Sequence, residues 1–98
     1  MNLSIQRATI NDAPEVAAMV GELLNEIMRT IGVQAFNFSL DETTARLMDF
    51  IEREKYFVFV AHSGDAGPVG FIALTESHAL YAEGAFGTIP ELFVRPGF

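Results

Sequence analysis

The run Tyr56-Phe57-Val58-Phe59-Val60-Ala61-His62-Ser63-Gly64-Asp65-Ala66-Gly67-Pro68-Val69-Gly70-Phe71-Ile72-Ala73-Leu74-Thr75 decides the architecture. Residues 56–61 are β-branched or aromatic almost throughout, which suits a strand buried on both faces or nearly so. Residues 62–67 read as a turn, since Gly64 and Gly67 can take positive φ without a side-chain clash. Val69 to Thr75 is a second apolar run, so the whole stretch reads as a β-hairpin. A hairpin forces antiparallel pairing, which excludes an all-parallel sheet with helical crossovers.

Upstream of the hairpin, Leu3, Ile5 and Arg7 alternate with Ser4 and Gln6, the pattern of a short first strand. Asp12 is placed as an N-cap, Pro14 is tolerated in the first helical turn, and Glu15 completes a capping-box spacing. Val16, Met19, Val20, Leu23, Leu24, Ile27 and Ile31 then recur at steps of three and four, predicting an amphipathic helix that Gly32 ends. A connector over 32–38 carries Phe36 and Phe38. Ser39-Leu40-Asp41-Glu42 is a second capping box. It opens a helix with Leu47, Met48, Phe50 and Ile51 on its buried side, ending near Glu54. Asp49 and Arg53 stand at an i,i+4 spacing on the solvated side.

Downstream, 77–87 fits either a strand extension or a loop. Thr88 to Arg95 reads as a third antiparallel strand after the helices, in which Pro90 lacks a ladder donor and so requires an edge position or a bulge. The order is therefore β-α-α-β-β-β. This is an α+β chain, a mostly antiparallel sheet packed against two helices. A small ligand-binding regulatory domain of βαββαβ order does not fit two consecutive helices after the first strand.

Composition narrows the function classes. The chain has 98 residues, room for one domain. Counting glycine and leaving out tyrosine, about 56% of it is apolar, against ~45–50% for ordinary domains. That excludes a disordered chain and favours either self-association or membership of a larger core. There is no cysteine, so neither a thiolate nucleophile nor a disulfide framework can be built. The formal net charge is −7 and the basic residues are scattered, which argues against a phosphate-tracking nucleic-acid surface. No apolar run approaches a membrane span, and Met1 to Arg7 lacks a signal-peptide layout, so the expected compartment is the cytoplasm. His62 and His78 have no paired spacing or carboxylate cluster, and no metal is expected.

In three places the chain resembles the N-terminal half of a GNAT-superfamily acyltransferase. Ile5-Gln6-Arg7-Ala8-Thr9 followed by Asp12 and the first helix is similar to the family's opening. The hairpin through Pro68-Val69-Gly70-Phe71-Ile72-Ala73-Leu74 looks like the family's second and third strands. Ile89-Pro90-Glu91-Leu92-Phe93-Val94-Arg95-Pro96-Gly97-Phe98 resembles the fourth strand and the lead into the acyl-CoA site. The resemblance implies a partial acyl-CoA N-acyltransferase fold over residues 1–98, a single incomplete domain ending before the pyrophosphate-binding loop. In the family that R/Q-x-x-G-x-G/A loop holds a pyrophosphate at a helix N-terminus.

What the resemblance implies for function is an N-acetyltransferase moving the acetyl group of acetyl-CoA to a primary amine. Glu91 would be the catalytic carboxylate that takes the amine proton. Backbone groups of Leu92, Phe93 and Val94 would bind the cofactor. Phe36, Phe38, Tyr81 and Glu83 would line the acceptor pocket. The plainer alternatives stay open: Glu91 as a solvated strand carboxylate, and the other four as core and loop packing. With the phosphate loop outside 1–98, this chain alone is expected to be inactive. The competing reading is a non-catalytic truncated module that associates through its exposed last strand, and a homo-oligomer is expected.

Overall fold

A computed structural model describes residues 2–82 and 84–98. They form strand β1 (Leu3–Arg7), helices α1 (Ala13–Ile31) and α2 (Leu40–Glu52), and strands β2 (Phe57–Ser63), β3 (Gly67–Ala79) and β4 (Gly84–Val94). The observed order is thus β-α-α-β-β-β. Among the described residues the four strands make one sheet in the order β1-β2-β3-β4, every pair antiparallel. β1 and β4 are the two edges.

Local chemistry explains where the helices begin and end. Asp12 stands at the N-cap position of α1 as expected but makes no side-chain cap bond there; its carboxylate is used one turn earlier. Asp12 is already helical, and its Oδ2 accepts from the Thr9 amide at 2.8 Å. A single 3-10 turn, Ile10–Asp12, therefore precedes α1. At the other end Gly32 takes φ 71° and its amide donates to the Met28 carbonyl at 2.9 Å. α2 starts as expected, with the Ser39 hydroxyl accepting from the Glu42 amide at 3.3 Å. It closes with Glu54 at φ 55° while Lys55 donates back to the Phe50 carbonyl at 2.8 Å. This left-handed cap swings the chain from α2 directly into β2. The Asp49–Arg53 pair forms at 2.8 Å on the exposed side.

Both helices lie on one face of the sheet. Val16 and Met19 of α1, Leu47 of α2, Val58 and Val60 of β2, and Phe71 and Phe93 of β3 and β4 form the buried cluster. Burying each such side chain contributes roughly 1.5–3 kcal/mol. The opposite face has no covering layer among the described residues. β2 is consequently buried on one face only: Val58 and Val60 are enclosed while Phe57 and Phe59 remain half-exposed. Across the outer face Ile5 is 73% exposed, Leu92 58% and Val94 53%.

The hairpin turn is tighter than the sequence suggests. β2 runs on to Ser63 and β3 starts at Gly67, so His62 lies in the sheet, half-buried, with its Nδ1 enclosed and without a hydrogen-bond partner. The ambiguous segment resolves into strand: β3 extends to Ala79, a 3-10 turn follows over Leu80–Ala82, and β4 begins at Gly84. Pro90 satisfies both conditions that a strand proline demands. β4 is an edge, and the register passes from Thr75↔Thr88 to Ala73↔Glu91, so Ile89 and Pro90 together oppose Leu74 in a bulge. Beyond the strand, Arg95 is clamped in place. Its guanidinium makes two-pronged contact with Glu22 of α1, at 2.7 Å for the shortest bond, and donates to the Pro68 carbonyl at 2.7 Å. No described helix is long and apolar enough to cross a membrane.

Candidate active site

Among the described residues the sheet face under the helices carries one carboxylate. Glu91 stands opposite Ala73, which in turn stands opposite Val58, so the three form a cross-strand row. Phe93 is two residues further along β4 and fully inward; alternation therefore turns Glu91 to the same side. Ala73 is the small member of the row, and its methyl leaves room above the sheet. Tyr56, immediately before β2, reaches across that space, its hydroxyl 3.5 Å from Glu91 Oε1. The Tyr56 ring packs against Phe50 of α2 with centroids 5.0 Å apart.

The half-buried position of Glu91 pushes its carboxyl pKa up, because burial disfavours the charge; the Tyr56 hydroxyl opposes this in part. Tyr56 is pushed up as well, first by burial and then by the neighbouring Glu91 charge and hydrogen bond. A carboxylate held above its usual range is better matched to accept a proton near neutral pH. The effect also bears on stability. A raised folded pKa favours folding fully below the unfolded value of about 4 and loses that contribution as pH rises through the folded titration. Glu91→Gln removes the titrating group. The variant is expected to gain on the wild type in denaturant stability as pH is raised from about 4 through that window. A stability difference that stays flat across it would show that burial does not perturb Glu91.

Glu91 and Tyr56 lie at the floor of a cavity of about 360 Å³ between the sheet, α1, α2 and the connector. This is the lower end of the range for small-molecule sites. Val16, Val20 and Leu23 of α1 form one wall, and Thr43, Arg46, Leu47 and Phe50 of α2 the other. Phe36 and Phe38 from the connector close the top. The place of Phe38 depends on Gly21: a Cβ there would meet the Phe38 ring at 2.7 Å. α1 thus leaves a notch in which the ring rests.

Of the residues singled out from the sequence, Phe36, Phe38 and Glu91 come together around this cavity. Tyr81 does not join them. It is 86% exposed beyond the far end of β3, beside Phe86 at 6.2 Å between ring centroids. Glu83 lies outside the described residues. Leu92 and Val94 point to the outer face while Phe93 enters the core, so what these three can offer a ligand in common is backbone. Among the described residues β4 is paired on one side only, by β3, so alternate N–H and C=O groups of this edge strand face outward without a strand partner. Tyr56, Arg46, Thr43 and Asn37 are polar lining residues that the sequence reading did not single out. Tyr56 is 35 positions from Glu91 in the chain, and only the strand register relates them. Among the described residues no group of three or more His, Asp or Glu is placed to hold a metal ion.

No family model matches the chain, and no curated protein matches it. Solved structures do. An acetyltransferase candidate from Arthrobacter sp. FB24 superposes with a TM-score of 0.73 at 29% identity, over 97% of this chain and 55% of its own. A predicted acetyltransferase from Clostridium acetobutylicum, solved with acetyl-CoA, gives 0.71 at 11% identity over 97% and 61%. A ribosomal-protein-alanine N-acetyltransferase from Brucella melitensis biovar Abortus 2308 gives 0.71 at 12% identity over 100% and 61%. The present chain spans somewhat more than half the length of these structures.

Proposed function

We propose, from the premise that this chain carries the N-terminal half of the GNAT acetyltransferase fold, that it supplies the amine-acceptor side of an N-acetyltransferase using acetyl-CoA. The observation that carries this reading is the half-buried Glu91 at the floor of an apolar cavity, on a strand whose other edge is open. Acetyl-CoA would contribute an acetyl group already activated as a thioester. The residues of this chain do the rest of the work on the acceptor side. A primary amine enters the cavity as an ammonium and pairs with the Glu91 carboxylate. Glu91 takes the proton that the nitrogen must lose before it can act as a nucleophile. Tyr56 holds the carboxylate by its hydroxyl, and the walls from α1 and α2 exclude water. The outward backbone groups of Leu92 to Val94 suit the amides of a pantetheine arm.

The donor side is less complete. An R/Q-x-x-G-x-G/A run is absent from the 98 residues, so the pyrophosphate has no comparable cradle here. Acetyl-CoA titrated calorimetrically into this chain is expected to bind weakly or undetectably, and tight binding would refute the need for that loop. The acceptor reading is tested separately by titrating phenethylamine while following Glu91 by carboxyl-detected NMR. A bound ammonium should lower the Glu91 midpoint, and Glu91→Gln should abolish the interaction. If no cavity resonance moves at millimolar amine, the acceptor site is not one.

A second reading draws on the open β4 edge and the bare apolar face. It takes the chain as a non-catalytic module that pairs with another copy through its last strand. Sedimentation at micromolar concentration should then show a species larger than the 10.8 kDa chain. A clean monomer counts against association.

A further inference from the structure

The cavity holds two charged residues of opposite sign on opposite elements, Glu91 on β4 and Arg46 on α2, in otherwise apolar or neutral walls. Arg46 sits on the same face of α2 as Thr43, Leu47 and Phe50, all lining residues. The ion pairs of the described residues are Asp49–Arg53, Glu76–His78 and Glu22–Arg95, and Arg46 takes part in none of them. Glu42, one turn before it on α2, is not within ion-pairing distance. A guanidinium with no carboxylate within ion-pairing distance among the described residues, exposed at the rim of the cleft, is suited to bind a planar anion.

We infer that the acceptor is a small primary amine with an apolar body that also carries a carboxylate, its nitrogen at Glu91 and its carboxylate at Arg46. This rests on the acceptor reading given above and adds the substrate class. The chain as a whole is strongly acidic, with a formal net charge of −7; its general field favours the ammonium end of such a ligand and disfavours the carboxylate end, which Arg46 offsets locally. Polyamines fit poorly. They would bring further positive charge towards Arg46, and the cavity offers Glu91 as its one carboxylate.

The test compares three probes on the 98-residue chain by NMR titration at neutral pH: phenethylamine, phenylalanine, and 4-(2-aminoethyl)benzoate, which carries its carboxylate across the ring. At least one of the two carboxylated amines is expected to bind about five- to tenfold tighter than phenethylamine. Arg46→Gln, on an exposed helix position, should erase that advantage by weakening the carboxylated probes, while phenethylamine, freed of a like charge in the cavity, should bind no more weakly than before. Glu91→Gln should abolish the binding of all three amines alike. Equal or weaker binding of both carboxylated probes overturns the inference and leaves the acceptor reading standing, as does an Arg46→Gln variant that keeps the full preference. If no amine binds at all, the acceptor reading itself fails and takes the inference with it.

Discussion

Phe93→Ala is expected to destabilise the protein by about 3–5 kcal/mol, the usual cost of emptying a buried aromatic site. Phe93 is 5% exposed and directly opposite Phe71 in the β3–β4 register. Its ring joins the edge strand to the common core, and β4 has a strand partner on one side only. Domains of this size are stable by roughly 5–15 kcal/mol in total. The midpoint of thermal unfolding should fall by at least about 12 °C. Amides of 91–95 should lose hydrogen-exchange protection before those of β2, because β4 is released first. A loss below about 1 kcal/mol would mean that the edge strand is held by its ladder alone.

Gly70→Ala is the second change with a large expected effect, and its sign separates two forces. Strand propensity favours alanine over glycine by roughly 0.5–1 kcal/mol. Packing opposes it: a Cβ at Gly70 would lie 2.8 Å from the Phe93 carbonyl oxygen and 3.4 Å from Val94 Cα. Both are backbone atoms of the paired strand, so neither can swing aside as a side chain would. β3 and β4 would have to separate locally, at about 1–3 kcal/mol. We expect net destabilisation in a chemical-denaturation series, together with shifted amide resonances from Glu91 to Arg95. A stabilised variant would show that the close approach of the two strands relaxes freely.

Much of the fold is legible in the order of residues because the signals are local. The three- and four-residue recurrence from Val16 to Ile31, stopped by Gly32, defines α1 without reference to anything else. Ser39 and Glu42 do the same for the start of α2. Where two local patterns overlap, reading fails. Thr9 and Asp12 have the same three-residue spacing as Asp12 and Glu15, and the first of these two caps forms. The stretch 77–87 is opaque for another reason. β3 and β4 leave the core there, Leu80 is 99% exposed, and without a buried face no alternation is imposed. The cavity needs the most long-range information. Glu91 is recognisable as a strand carboxylate, yet Tyr56 and Arg46 join it through strand register and the packing of α2, which no spacing in the chain encodes.

The paired residues Ile89 and Pro90 act as a phase shift in the strand's inside–outside code. Counting without interruption from Thr88, which shares the inner face with Thr75 and Ala73, would send Glu91 and Phe93 outward and bring Leu92 and Val94 under the helices. One extra residue reverses that assignment for everything after it. Single-residue insertions or deletions should therefore be tolerated near Gly84, upstream of this point. The loss of either Ile89 or Pro90 would exchange a carboxylate and an aromatic ring for two aliphatic side chains, removing Glu91 from the cavity while leaving the composition of the strand almost unchanged.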